Sequence, residues 1–212
     1  MIDTGKMLRA KSQLLEKFKK LTPRVDPNHA RLPPGQHLTQ GFPVLDLGIR
    51  PRFDPSAWRF RVGGEVEQPL SLSWAEFAEL PKAEQVCDFH CVTTWSKYDV
   101  RWGGVKFSTI VGRVRPKGSA RHLIMDCADG YTTNLPLSEL MGDDIMLAYE
   151  LDGEPLPLDH GGPLRMIVPH IYAWKSAKFL IGFRFLEHDE KGYWEVRGYH
   201  NHADPWKEER FG

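Results

Sequence analysis

The sequence predicts an α+β fold in which strands dominate and helices are few and short. Between residues 121 and 197 the chain reads as a succession of apolar runs of strand length broken by turn residues. Prolines at 27, 33, 34, 43, 51 and 55 exclude long regular elements from residues 25–55. With 212 residues, 41% of them hydrophobic, the chain can build one substantial core, which predicts a single globular domain.

Taken in order, Leu8, Leu14, Leu15, Phe18 and Leu21 recur at spacings that suit an amphipathic helix over 4–21, stopped before Pro23. Residues 1–31 therefore read as a helix and arm, and residues 32–212 as the body. The proline-rich stretch to Pro55 is expected to wrap the surface in extended and turn conformations. Trp58 to Val66 alternates apolar and polar residues like a half-buried strand. Ser73-Trp74-Ala75-Glu76 is a capping box opening a short helix through Leu80. A strand over 86–92 breaks at Cys91 into a small polar and aromatic turn. Strands follow at 121–127, 131–135, 145–150, 164–168, 178–186 and 192–197, with short helical pieces near 106–112 and 137–141 and a hairpin signal at Asp152-Gly153.

Twenty-eight basic residues balance twenty-eight acidic ones, so the chain carries no electrostatic footprint for nucleic acid or anionic lipid, and any anion site must be local. Three cysteines are too few for a disulfide framework and suit a reducing compartment. The first residues lack the apolar region of a secretory signal, and no apolar run approaches the ~18 residues of a membrane span. A cytoplasmic location is expected.

Two stretches carry chemistry. In the first, Cys87, Asp88, His90 and Cys91 lie within five residues, and the thiolate of Cys91, at a strand end, is suited to ligate a soft metal. Cys87 and Cys91 with His200 and His202 would also make an acceptable zinc set, although Cys-x3-Cys without a second pair is a weak signature. In the second, His160-Gly161-Gly162-Pro163-Leu164-Arg165 is followed by Tyr172-Ala173-Trp174-Lys175-Ser176-Ala177-Lys178. A Gly-Gly-Pro turn admits close backbone approach to a ligand, and Arg165 with Lys178 describes an anion pocket. Each of these residues also admits an ordinary reading: a buried thiol, a satisfied histidine, a solvated strand face. No P-loop and no Gly-x-Gly-x-x-Gly motif is present.

The run His90-Cys91-Val92-Thr93-Thr94-Trp95-Ser96, with Trp102-Gly103-Gly104-Val105 beyond it, resembles the molybdenum-binding segment of the sulfite oxidase superfamily of molybdopterin-dependent oxidoreductases. His160 to Arg165 and Tyr172 to Lys178 resemble the pterin-binding stretch of that family. The likeness covers roughly 32–212 and is greatest to the short bacterial sulfite-oxidase-like branch, which is similar to the catalytic subunit of the periplasmic methionine sulfoxide reductase. It implies a single-domain sulfite oxidase-type fold with strand-dominated mixed sheets, binding one molybdenum-pyranopterin per chain. It further implies Cys91 as the one protein ligand to molybdenum, and His90, Trp95, Tyr98 and Trp102 lining the approach. Phe42, Pro43, Cys127, His160, Arg165, Ser176, Ala177 and Lys178 match cofactor-binding positions, Cys127 where a relative carries threonine. The implied reaction is oxygen-atom transfer to or from a small substrate, with electrons exchanged through an external partner. No counterpart is found of the arginine and tyrosine that sulfite oxidases place around sulfite, and the immunoglobulin-like dimerisation domain is missing, so a monomer is expected. A zinc-stabilised or cofactor-carrying interaction module, without enzymatic activity, is the alternative.

Overall fold

The computed structural model describes residues 31–212, so the helix expected at 4–21 lies outside the described residues. Two mixed sheets carry the architecture. The first joins β1 (His37–Leu38), β4 (Lys82–His90), β5 (Trp95–Lys106), β8 (Met146–Leu151), β9 (Glu154–Pro155) and β10 (Arg165–Ile167), in the order β1-β5-β8-β10 with β4 paired to β5 and β9 to β8. The second runs β3-β2-β11-β6-β7, from β2 (Arg59–Gly64), β3 (Leu70–Ser73), β6 (His122–Cys127), β7 (Thr132–Pro136) and β11 (Leu180–Leu186). The β1–β5 and β2–β11 pairs are parallel and the others antiparallel.

Phe60, Leu123, Met125, Phe183 and Phe185 of the five-stranded sheet meet Val105, Leu147 and Met166 of the other in one apolar cluster, with Phe60 and Phe107 packed edge-on against Phe183. The six-stranded sheet is buried on its second face as well: alternation along the strands sends Trp102, Met146, Ala148 and Ile167 into a separate cluster with Phe89, Cys91 and Trp95. Strands buried on both faces read as unbroken apolar runs, which is why 145–150 and 164–168 stand out in the sequence.

Local signals explain the other elements. Ser73 caps α1 (Trp74–Ala78): its hydroxyl accepts from the Glu76 amide while the Glu76 carboxylate accepts from the Ser73 amide, completing the capping box. Asp152 and Gly153, with φ of 54° and 85°, turn β8 into β9. α2 (Phe107–Val114) buries Phe107, Ile110, Val111 and Val114 along one side.

Two expectations fail. Residues 192–197 form no strand: Tyr193 donates a backbone bond to Thr132, Val196 returns to Gly192, and Glu195–Arg197 is a single 3-10 turn. Glu195 is buried and charged, and its polar contacts override the alternation of its neighbours. The long strand β5 is not anticipated, because Lys97, Tyr98, Asp99 and Arg101 interrupt its apolar pattern with half-exposed and exposed positions. Gly104, beside a register shift in β5, lies so close to β8 that a Cβ there would sit 2.1 Å from the Leu147 carbonyl oxygen.

Residues 199–211 fold back over the body. The Tyr172 amide donates to the Ala203 carbonyl, and the two nitrogens of His202 face Glu209 at 2.8 Å and Glu139 at 3.7 Å. Glu139 also accepts from His170 at 3.0 Å. Glu139 first, and then Glu209, raise the pKa of His202 against the opposing effect of burial.

Gly104→Ala should lower the urea midpoint by the equivalent of about 1–3 kcal/mol. Gly112→Ala, in open space on α2, should raise it by roughly 0.5–1 kcal/mol; equal shifts would contradict the packing described. Because the folded state raises the pKa of His202, its contribution to stability is complete below the ordinary histidine range, near ~6.5, and lost as pH rises through the raised value. Melting temperature against pH should show that fall, and His202→Gln should flatten it.

Candidate functional site

Cys91 follows β4 immediately, and the chain reverses within four residues to enter β5. The Cys91 amide donates to the Trp95 carbonyl at 2.9 Å, the Thr94 amide to the Cys91 carbonyl at 3.1 Å, and Thr94 takes a left-handed φ of 75°. The turn is fixed from outside by Gln36, which donates to the Cys91 carbonyl at 3.1 Å, and by Arg210, which donates to the Val92 carbonyl. Its thiol lies 3.2 Å from the Thr93 hydroxyl. Burial pushes the Cys91 pKa up, opposed by Thr93, which favours the protonated thiol in the free protein.

The sulfur faces a cavity of about 250 Å³. Phe42, Phe89 and Trp95 wall its aromatic side. Phe42 meets Phe89, Trp95 and Trp102 edge-on at 5.5–6.1 Å and stacks on His160 at 4.4 Å. Burial, then the charges of Arg165 and Lys178, lower the pKa of His160 and favour the neutral ring.

Two cations line the same cavity. Arg165 lies on the β10 face shared with Ile167. Its guanidinium donates to the His160 carbonyl at 2.7 Å and to the Ser176 carbonyl at 3.0 Å, and rests 5.0 and 5.2 Å from the Phe89 and Trp102 ring centres. It makes no ion pair among the described residues, and its buried Nε has no hydrogen-bond partner. Burial pushes its pKa down to about 9. Lys178 donates to the Asp159 carbonyl at 2.8 Å, and burial first, then Arg165, bring its pKa to about 8. Neither residue stands on a solvated strand face. The Ser176 hydroxyl accepts from the Val168 amide and the Ala177 carbonyl from the Met166 amide, which clips this segment to β10.

Phe42, Pro43, Cys91, Trp95, His160, Arg165, Ser176, Ala177 and Lys178 therefore line one cavity. His90 and Cys127 do not. His90 precedes Cys91 in extended chain and points the other way, with Nδ1 2.8 Å from the Ser96 hydroxyl and its ring edge-on to Trp206. Cys127 packs in the main core, in the same apolar cluster as Tyr131, which lines the cavity where Cys127 does not. The Gly-Gly turn serves the protein's own packing: a Cβ at Gly161 would meet the Lys178 side chain at 2.8 Å, and one at Gly162 the Leu156 carbonyl at 2.2 Å. Asp46, Asp129, Trp194 and Tyr199 are among the lining residues that were not anticipated. For Asp129 the Asp-Gly turn between two strands was a usable signal. Trp194 and Tyr199 arrive only because the chain folds back from its far end.

The four residues of the zinc alternative are dispersed among other partners. Cys87 packs beside the Phe89 cluster, while His200 and His202 belong to Glu209 and Glu139. Among the described residues no group of three or more His, Cys, Asp or Glu side chains is placed to hold a metal. The cavity instead fits a flat, anionic, soft-metal cofactor: one thiol on its wall, aromatic walls, and two cations, of which the buried Arg165 has an unpartnered donor.

Comparison with known proteins gives the same answer. The family described as the oxidoreductase molybdopterin binding domain matches residues 47–194. An uncharacterized oxidoreductase of Bacillus subtilis, YuiH, is 42% identical over 182 residues, 85% of this chain and 92% of that protein. The catalytic subunit MsrP of the protein-methionine-sulfoxide reductase of Ralstonia nicotianae is 28% identical over 172 residues; the match takes 71% of this chain and 52% of that subunit. The crystal structure of the sulfane dehydrogenase SoxCD from Paracoccus pantotrophus superposes with a TM-score of 0.62 at 20% identity, over 74% of this chain and 46% of that one, a likeness of fold. The chain belongs to the oxidoreductase molybdopterin-binding domain family and is an oxidoreductase whose cofactor is molybdopterin with its molybdenum.

Proposed function

We propose that this chain reduces a small sulfoxide-like compound, or runs the reverse oxidation, by oxygen-atom transfer, and exchanges electrons with an external redox partner. The observation that carries the reading is the placement of one buried thiol, Cys91, in the same cavity as a buried cation, Arg165, and a half-buried one, Lys178. A single thiolate ligand leaves room in the metal's coordination sphere, and the cofactor supplies the two-electron oxygen-transfer chemistry. The chain's own residues bind and orient. Cys91 gives up its proton to become the ligand, while Arg165 and Lys178 neutralise the anionic end of the cofactor. Phe42, Phe89 and Trp95 exclude water from the metal end. The names of the curated relatives support the substrate class and the partner: MsrP is a catalytic subunit of a methionine-sulfoxide reductase, and a 29% identical protein of Azospira oryzae is a putative subunit of such a reductase.

Purified from a host that makes the cofactor, the protein should carry molybdenum and release pterin fluorescence on oxidation. Cys91→Ala should lose more than about tenfold of the metal, while Cys127→Thr, whose position is off the cavity, should keep it. Zinc in place of molybdenum, or full metal in Cys91→Ala, would refute the assignment. Supplied with two electrons and two protons from a reduced dye, the holoprotein should convert an isotopically labelled sulfoxide to thioether, with the label appearing in water.

An anion beside Lys178 raises its depressed pKa, so binding takes up a proton between the free and bound values. The contribution of Lys178 to cofactor retention should therefore be complete below about pH 8 and fall above it, superimposed on the opposite dependence set by the proton that Cys91 gives up. Dialysis at a series of pH values followed by metal analysis should show this as an advantage of the wild type over Lys178→Met that is greatest below about pH 8 and shrinks above it; a ratio of retention independent of pH would refute the role of Lys178.

A further inference from the structure

Behind the cavity wall lies an ion pair with no part in the chemistry described so far. Lys175 is fully buried, and its ammonium lies 2.7 Å from Glu195 Oε1, 2.9 Å from the Asn134 carbonyl and 3.2 Å from the Asn134 side-chain oxygen. The same Glu195 oxygen accepts from the Thr133 hydroxyl and from the Trp174 indole, each at 2.9 Å, while its second oxygen is buried without a partner. Three separate segments thus converge on one carboxylate: β7, the 3-10 turn at 173–175 and the 3-10 turn at 195–197.

What gives the pair significance is its sequence neighbours. Trp174 and Ser176 flank Lys175, and Trp194 precedes Glu195; all three line the cavity. A buried ion pair is no more stabilising than well-packed apolar side chains of the same volume, so stability alone does not call for one here. What charges supply is direction, because a carboxylate gathering three donors fixes three segments relative to one another. Apolar packing would tolerate them sliding.

We propose that Lys175 and Glu195 are positioning residues that hold the Trp174–Lys178 segment and Trp194 in the register the molybdopterin site requires. The inference rests on the reading of the cavity as that site. Neither residue lines the cavity, so their effect on the cofactor is transmitted through the wall they hold.

The test is the apolar double variant Lys175→Met/Glu195→Leu, accompanied by Thr133→Val, which removes a single hydrogen bond to Glu195 with nearly unchanged shape. Both are made as holoprotein beside the wild type, and three quantities are read: melting temperature, molybdenum and pterin per chain, and the rate at which both are lost on dialysis. The double variant should melt within a few degrees of the wild type yet lose cofactor at least about tenfold faster, with Thr133→Val intermediate. If the double variant fails to fold, Thr133→Val alone decides, by the same comparison of loss rate with melting temperature. Wild-type retention in the folded variants, or a loss rate that only follows the fall in melting temperature, would overturn the proposal. Absence of molybdenum and pterin from the wild type would instead strike the cofactor reading on which it stands.

Discussion

The guanidinium of Arg165 is buried against two aromatic rings without a carboxylate, and the arrangement of the site hangs on it. Its place is set by the sheet, since Arg165 pairs with Ala148 of β8 and strand alternation then turns it toward the Phe89 and Trp102 face. From there it reaches the His160 carbonyl on one side and the Ser176 carbonyl on the other, so the segments before and after β10 share one anchor. Carbonyl dipoles and ring faces compensate a desolvated cation only in part, and an unmatched buried charge costs several kcal/mol. A fold that accepts this cost at a cavity wall is one whose charge balance is completed by an anionic ligand.

The second buried cation shows the contrast. Lys175 has Glu195 at 2.7 Å and two oxygens of Asn134, whereas Arg165 has only carbonyls and a free Nε. One charge is satisfied internally and serves geometry; the other is left for a ligand. Cys91 and Lys178 extend this logic to protons: burial favours the neutral thiol and weakens the hold of the ammonium on its proton. On the proposed reading, loading the site draws a proton off the sulfur and returns one toward the amine. On a chain of zero formal net charge, such focused electrostatics cannot be seen in composition.

Much of the fold was legible because its signals are local. The Ser73–Glu76 box, the Asp152-Gly153 turn and the apolar runs of β6, β8 and β11 depend on neighbours within a few residues, and they formed where expected. The position of Cys91 at the end of a strand was legible for the same reason. Which side a residue faces was less so: the bulge between Cys87 and Phe89 shifts the register of β4, and strand alternation puts His90 behind the wall that Cys91 lines. The glycines at 161 and 162 announced a close approach correctly, but what approaches is Lys178 and the Leu156 carbonyl, a tertiary contact without sequence signature. Residues 192–197 imitate a strand because buried Glu195 is polar for reasons lying sixty residues earlier, at Thr133.

The walls of the cavity also differ in how they are held. The Cys91 turn is fixed by its own strand pair and by Gln36 and Arg210, and the Ser176–Ala177 wall is clipped to β10 by backbone and hydroxyl bonds. The Phe42–Leu47 wall has no such ladder: among the described residues no backbone–backbone hydrogen bond holds residues 40–53. Phe42 is kept in place by ring contacts with Phe89, Trp95, Trp102 and His160. Contacts of this kind are short-ranged and individually weak, so they are surrendered at lower cost than a strand pairing. The rigid walls are those that carry the Cys91 thiol and the cations, where, on the proposed reading, displacement would undo coordination and charge matching. The loosely tethered wall is the Phe42–Leu47 one, which faces the strand-held rings of Phe89 and Trp95; on the proposed reading it serves to exclude water, and exclusion tolerates displacement that coordination does not.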